Sequence, residues 1–208
     1  MGFWIDRAIT SGFTSFGDRR MPLENNVWVI GDDVECVVID APHAVQPVLD
    51  TVGNRRVQAV LCTHGHSDHI NAAVEVGTVT RAPVLLHPAD RMLWDRLHDT
   101  APDGDLADGQ VFTVAEIALH VRHTPGHTPG SICIHAPDLG VLFSGDTLFL
   151  GGPGATGRPF SSFDQIIASI RDRLLTLPAE TIVHAGHGES TTIGREASSL
   201  PDWIARGY

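Results

Sequence analysis

Short apolar runs, broken by glycine, proline and aspartate, recur along most of this chain. Runs near 26–30, 35–40, 57–62, 83–87, 111–114, 117–122, 131–135, 140–144 and 181–184 have the length and β-branched content of strands. Gly31-Asp32-Asp33 separates the first two and predicts a hairpin turn. Helical spacing fits 44–53, 68–79, 88–98, 162–176 and 192–206. In the fourth of these, Phe163, Ile166, Ile167, Ile170, Leu174 and Leu175 make one apolar face. Strands in two blocks, with helices between and after them, predict two packed sheets covered by helices. The length of 208 residues and a 42% hydrophobic content fit one domain spanning 1–208.

Chemistry concentrates directly after the apolar run Val60-Leu61-Cys62. Thr63-His64-Gly65-His66-Ser67-Asp68-His69 holds three imidazoles and a carboxylate, the donors that zinc and similar divalent ions prefer. On an extended segment His64 and His66 project to the same side. Asp68 and His69 follow where a helix can begin, so the first helical turn would aim them at a second, adjacent point. Three later positions offer the remaining donors: His127 in Gly126-His127-Thr128-Pro129-Gly130, Asp146 at the end of Val141–Gly145, and His187 between two glycines. Each follows a strand or sits in a tight turn, where backbone can approach an ion closely. The set divides into His64, His66 and His127 for one metal and Asp68, His69 and His187 for the other, with Asp146 bridging. The other histidines carry no such pattern, although His123 and His184 stand near the proposed ligands as candidate hydrogen-bond partners.

Charge and composition remove several classes of function. A net charge of −11 argues against nucleic acid as a partner. All fourteen basic residues are arginine, so no lysine nucleophile or Schiff base is available. No apolar stretch approaches the ~20 residues of a membrane span, and the start lacks a secretory signal pattern. Cys36, Cys62 and Cys133 lie in strand-like runs without C-x-x-C spacing; an odd number of such thiols suits a reducing, cytoplasmic compartment. Trp4, Phe13 and Phe16 near the start, and Trp203 and Ile204 near the end, fit either a homodimer face or packing of the termini onto the core. Segments 12–22 and 151–161 read as loops rimming a substrate cleft.

The motifs THGHSDH, HTPGHTPGS, SGDTLF and GHG resemble those of the metallo-β-lactamase-fold hydrolases, in order and over nearly the whole chain. Within that superfamily the chain is most similar to short hydrolases of the glyoxalase II (hydroxyacylglutathione hydrolase) type. The resemblance implies an α/β fold, the four-layer αββα sandwich, with two Zn2+ ions at one edge of the sheets, or iron or manganese in one or both sites. It also implies that Asp40 is an acid just outside the ligand set, close to the metals; the alternative is that Asp40 only caps its strand. The chemistry expected is attack of a metal-bridging hydroxide on a carbonyl, with Asp68 orienting it and accepting its proton.

Departures from the pattern narrow the substrate. An aspartate at 146 is unusual for enzymes that hydrolyse antibiotics, and the only tyrosine, Tyr208, is terminal, unlike the active-site tyrosine of acyl-homoserine-lactone hydrolases. The extra domains of RNA-processing members are missing. Glutathione thioester hydrolases continue with a GCGK-like stretch, whereas this chain reads Leu150-Gly151-Gly152-Pro153-Gly154-Ala155, with Ala155 in the lysine's place. Arg158 can replace it as an anion clamp or be an ordinary solvated loop arginine. The expectation is a hydrolase of a small-molecule acyl-thiol thioester, its carrier thiol open between glutathione, mycothiol and coenzyme A. The alternative is a persulfide dioxygenase of the same fold with a single iron. His66 stands against a flavin-linked di-iron reductase, and the intact ligand set against a non-enzymatic metal-buffering or scaffold protein.

Overall fold

The computed structural model describes residues 2–16 and 19–207. Its first sheet carries β1 (Trp4–Phe16), β2 (Arg19–Gly31), β3 (Glu35–Ile39), β4 (Arg56–Leu61), β5 (Val84–Leu86) and β6 (Gly104–Asp105), in that spatial order. The first three strands are antiparallel neighbours, and β3 through β6 run parallel. The second sheet is built from β7 (Val111–Val114), β8 (Ile117–His123), β9 (Ile132–Ala136) and β10 (Val141–Gly145). After a small ribbon, β11 (Leu148–Phe149) with β12 (Gly152–Pro153), the chain returns as β13 (Ile182–Ala185) and β14 (Thr191–Thr192). Strand β13 lies parallel to β10, giving the order β14-β13-β10-β9-β8-β7.

Three apolar layers hold these sheets and their helices together, giving the four-layer αββα sandwich. Along β2 and β3 successive side chains point to opposite faces, so Val27, Val29, Cys36 and Val38 meet helices α1 (Val45–Val52) and, past the short α2 (Ser67–Ile70), α3 (Ala73–Thr80). Their neighbours Trp28, Ile30, Val37 and Ile39 face the second sheet, where Leu119, Val121, Ile132, Ile134 and Phe143 complete the middle layer. The far side of that sheet, with Cys133, Leu142 and Val183, is covered after α4 (Arg91–Trp94) by α5 (Phe163–Ser169), α6 (Ile193–Ala197) and α7 (Leu200–Arg206). Strands buried on both faces carry continuous apolar runs, which is why most were readable in the sequence. The three cysteines are buried and free. Among the described residues no helix is long and apolar enough to cross a membrane.

Several expected elements differ. The helix expected over 68–79 breaks at Asn71-Ala72 into α2 and α3, and α3 ends where Arg81 takes a left-handed conformation. The span 88–98 holds only a 3-10 turn, Pro88–Asp90, and α4. That over 162–176 passes from α5 into a π-helical turn, Ile170–Leu174, and the last splits before α7, which starts with Pro201 in its first turn. The described residues of 12–22 belong to strands, 12–16 to β1 and 19–22 to β2, with Gly12 opposite Leu23 and Phe13 opposite Pro22. Strand β1 escaped the pattern because it buries small residues, Ala8 and Thr10, and leaves Trp4, Ile9 and Phe13 about half exposed. Trp4 and Phe13 therefore do not pack the terminus onto the core, whereas Trp203 does. The side chain of Phe16 and all of Tyr208 lie outside the described residues.

Phe143 is the largest side chain contributed to the middle layer by β10, with its ring 6.0 Å from that of Trp28. Phe143→Ala should lower stability by about 3–5 kcal/mol, seen as a lower urea midpoint without a changed slope.

Candidate metal centre

Five segments deliver the candidate donors to one edge of the sandwich. The tip of β4 leads into His64 and His66; α2, for which His66 is the N-cap residue, presents Asp68 and His69 in its first turn. The loop between β8 and β9 carries His127, Asp146 follows β10, and His187 follows β13. Backbone bonds fix how these loops meet. Ile132 N donates to Thr63 O across the sheets at 2.8 Å, Gly186 N to Gly145 O at 2.8 Å, and Asn26 N to Gly186 O at 2.8 Å. Gly186 must lack a side chain, since a Cβ there would lie 2.5 Å from Asp146 Oδ1 and 2.7 Å from the His69 ring.

The seven candidates converge in two groups. His64 Nε2 and His127 Nε2 lie 3.1 and 2.9 Å from His66 Nδ1. His69 Nε2 and His187 Nε2 are 3.2 Å apart, and Asp68 Oδ2 is 3.8 and 3.5 Å from them. Asp146 stands between: Oδ1 is 3.3 Å from His69 Nε2, and Oδ2 is 3.4 Å from His187 Nε2 and 3.6 Å from His127 Nε2. Within each of the sets His64/His66/His127, His64/His69/Asp146 and Asp68/His69/His187, all the donor atoms lie within 4.8 Å of one another.

The outer nitrogens decide what the inner ones can do. His69 Nδ1 donates to Asp40 Oδ2 at 2.8 Å, His127 Nδ1 to Ala155 O at 2.8 Å, and His187 Nδ1 to Glu24 O at 2.7 Å. Asp40 also accepts from Thr63 N and from Thr63 Oγ1, whose own oxygen lies 3.1 Å from His64 Nδ1. One carboxylate thus orients a histidine in each group, and Asp40 is held with φ 61 to do so. Once these rings are neutral, with Nδ1 carrying the remaining proton, each Nε2 presents a lone pair inward.

Such a cluster fits cations. Burial, with the neighbouring imidazoles, lowers the pKa of His64, His66 (to about 3) and His127, so three neutral nitrogens face one another with little hydrogen to share. In the second group burial disfavours charge, yet carboxylates outweigh it: Asp146 and Asp40 raise His69, and Asp146 and Asp68 raise His187 to about 9. Asp68 and Asp146 are correspondingly held well below the usual carboxylate range against burial, chiefly by His187 and His69 respectively. Asp146 Oδ1 is buried without a hydrogen-bond donor, a state that is costly unless a cation faces it. Excess anion in one group and crowded lone pairs in the other suit two divalent ions.

Other sequence expectations fare differently. His123 donates from Nε2 to Pro129 O and stacks on His87, and His184 pairs with Ser190 Oγ; neither has a hydrogen bond to a candidate ligand. Two residues went unnoticed. Asp90 is fully buried and accepts from Gly65 N, Gly130 N and Thr128 Oγ1, tying the loop of His64 and His66 to that of His127. Asn25 points its amide into the second group. Arg158 is exposed, on a strap (155–162) that has both ends on the His127 loop: Ala155 O accepts from His127, and Ser162 N donates to Gly126 O. Ser161 Oγ accepts from Gly157 N and Arg158 N, stiffening the top of the strap.

This architecture and donor pattern place the protein in a known class. Residues 20–187 match the metallo-beta-lactamase superfamily, and the chain belongs to it. It is 32% identical over 197 residues to the hydroxyacylglutathione hydrolase GloC of Haemophilus influenzae, covering 86% of this chain and 92% of that protein. A crystal structure of the B3 metallo-beta-lactamase BLEG-1 is similar with a TM-score of 0.81 and 30% identity, over 96% of this chain and 99% of that one. A protein designated TTHA1623, solved in a di-iron-bound form, is similar at TM-score 0.73 and 31% identity, covering 92% of this chain and 99% of that one.

Removing the shared orienting acid tests this geometry. Asp40→Ala should weaken divalent-metal binding by about 10–100-fold, measured by competition with a chromogenic chelator.

Proposed function

We propose that this chain is a dinuclear metal-dependent hydrolase of small acyl-thiol thioesters. The observation that carries the metal half of this reading is Asp146, a buried carboxylate whose Oδ1 lies against His69 and whose Oδ2 lies between His187 and His127, so that it reaches both groups. Similarity to a hydroxyacylglutathione hydrolase over most of both chains supports the thioester half. His64, His66 and His127 would hold one ion and Asp68, His69 and His187 the other, with Asp146 shared. Two such ions supply hydroxide at neutral pH and polarise a carbonyl.

The remaining work falls to the protein. Asp68, kept anionic, is placed to orient the attacking O–H and to receive its proton. Asp40 keeps His69, and through Thr63 His64, in the tautomer that donates inward. The strap anchored on the His127 loop carries Arg158 and Phe160, and the guanidinium of Arg96 lies 5.4 Å from the centre of the Phe160 ring. No carboxylate within the described residues pairs with Arg96 or Arg158, although the chain is strongly acidic. That leaves Arg158 available for an anionic group on the thiol carrier. Three buried, unpaired cysteines support a reducing compartment.

Free-thiol release from matched thioesters of glutathione, mycothiol and coenzyme A by the metal-loaded protein tests the reading, with a chromogenic cephalosporin as the competing substrate. We expect chelator-sensitive thioester turnover, reduced by Asp146→Ala at least about 100-fold through loss of the shared carboxylate. Faster hydrolysis of the cephalosporin would move the chain to the lactamase side of its superfamily. Oxygen uptake with a persulfide after iron loading, without thioester turnover, would make it the dioxygenase. Arg158→Ala should raise KM about tenfold for carboxylate-bearing thiols while leaving kcat unchanged, as expected for lost uniform binding.

A further inference from the structure

Asn25 lies on β2, fully buried, beside the second donor group. One end of its carboxamide meets His43, with Oδ1 2.8 Å from Nε2. The other end, Nδ2, lies 3.2 Å from His69 Nε2, 3.3 Å from His187 Nε2 and 3.5 Å from Asp68 Oδ2. Metal–donor bonds of ~2.0–2.1 Å in a tetrahedral shell put donor atoms ~3.3–3.4 Å apart. The amide tip therefore stands at the spacing of a further donor, not of a distant neighbour.

Chemistry decides which end of the amide belongs there. His69 Nδ1 and His187 Nδ1 both face oxygens that can only accept, so their Nε2 atoms are the metal-binding nitrogens once the rings are neutral. An NH2 group aimed at the same point opposes a cation, whereas a carbonyl oxygen favours it. The two ends of a carboxamide have nearly the same shape, and a half-turn exchanges them.

We propose that Asn25 donates its carboxamide oxygen to the cation held by Asp68, His69 and His187, its amide turning so that Nδ2 donates to His43 Nε2. The inference rests on the two-ion reading above. His43 is fixed to receive that bond as a positioning residue. Its backbone is held at φ 58, its N–H donates to Asn71 Oδ1 at 2.6 Å, and its ring fills the space beneath Gly12, where a Cβ would lie 2.1 Å from Nδ1. The oxygen ligand would add no charge to a group that already holds two carboxylates.

Metal binding by the full chain tests this without reference to turnover. Wild type, Asn25→Ala and Asn25→Asp are stripped, shown by thermal melting to fold alike, and titrated with zinc against a chelator. The wild type should take two ions per chain. Asn25→Ala should weaken one of them by at least about tenfold and leave the other unchanged, while Asn25→Asp, which offers oxygen from either end, should bind both at least as tightly as wild type. With cobalt in place of zinc, the visible absorption should intensify in Asn25→Ala alone, as the coordination number falls. Undiminished affinity in Asn25→Ala overturns the proposal. So does Asn25→Asp behaving like Asn25→Ala, because that variant still offers the cation an oxygen from either end of its side chain. A wild type that takes fewer than two ions would instead overturn the two-ion reading itself.

Discussion

Everything at this site depends on bringing the loops of two sheets within an imidazole's width of each other. Opposed lone pairs and carboxylates do not assemble by mutual attraction, so the protein has to impose their approach. It does so with backbone hydrogen bonds, Ile132 N to Thr63 O and Asn26 N to Gly186 O, and with glycine where a side chain would intrude. The apolar middle layer sets the spacing of the sheets, and the edge loops inherit it. Stability supplied by burial thus balances the electrostatic cost of the cluster.

Asp40 and Asp90 divide the task of orientation. Asp40 works on ring tautomers, reaching His69 directly and His64 through the Thr63 hydroxyl. Asp90 works on backbone, joining Gly65 to Gly130 and so one histidine loop to the other. Both are buried and neither is a candidate ligand, yet loss of either would leave the donors present and misdirected.

Much of this was legible in the sequence for physical reasons. Strands buried on both faces must be apolar throughout, and seven donors gathered just past strand ends and in tight turns have few other uses. Strand β1 was hidden because its large apolar residues point outward and its small ones inward, the reverse of an amphipathic strand. Asp90 and Asn25 were hidden because nothing local distinguishes them: their partners lie 18 to 162 residues away. His123 and His184 misled in the opposite direction. Proximity to a ligand along the chain does not carry across a strand, where each successive side chain turns to the other face.

The strap over His127 has a consequence of its own. Both its feet rest on the loop that bears the histidine, and its crest is braced internally by Ser161. Residues on the crest can therefore change without pulling on the donors below. On the proposed function, such an arrangement would separate the choice of what enters from the chemistry done on it. Lineages of this fold could exchange one carrier for another through a handful of crest substitutions while the inorganic core stays untouched, so that kinship in the core says little about diet.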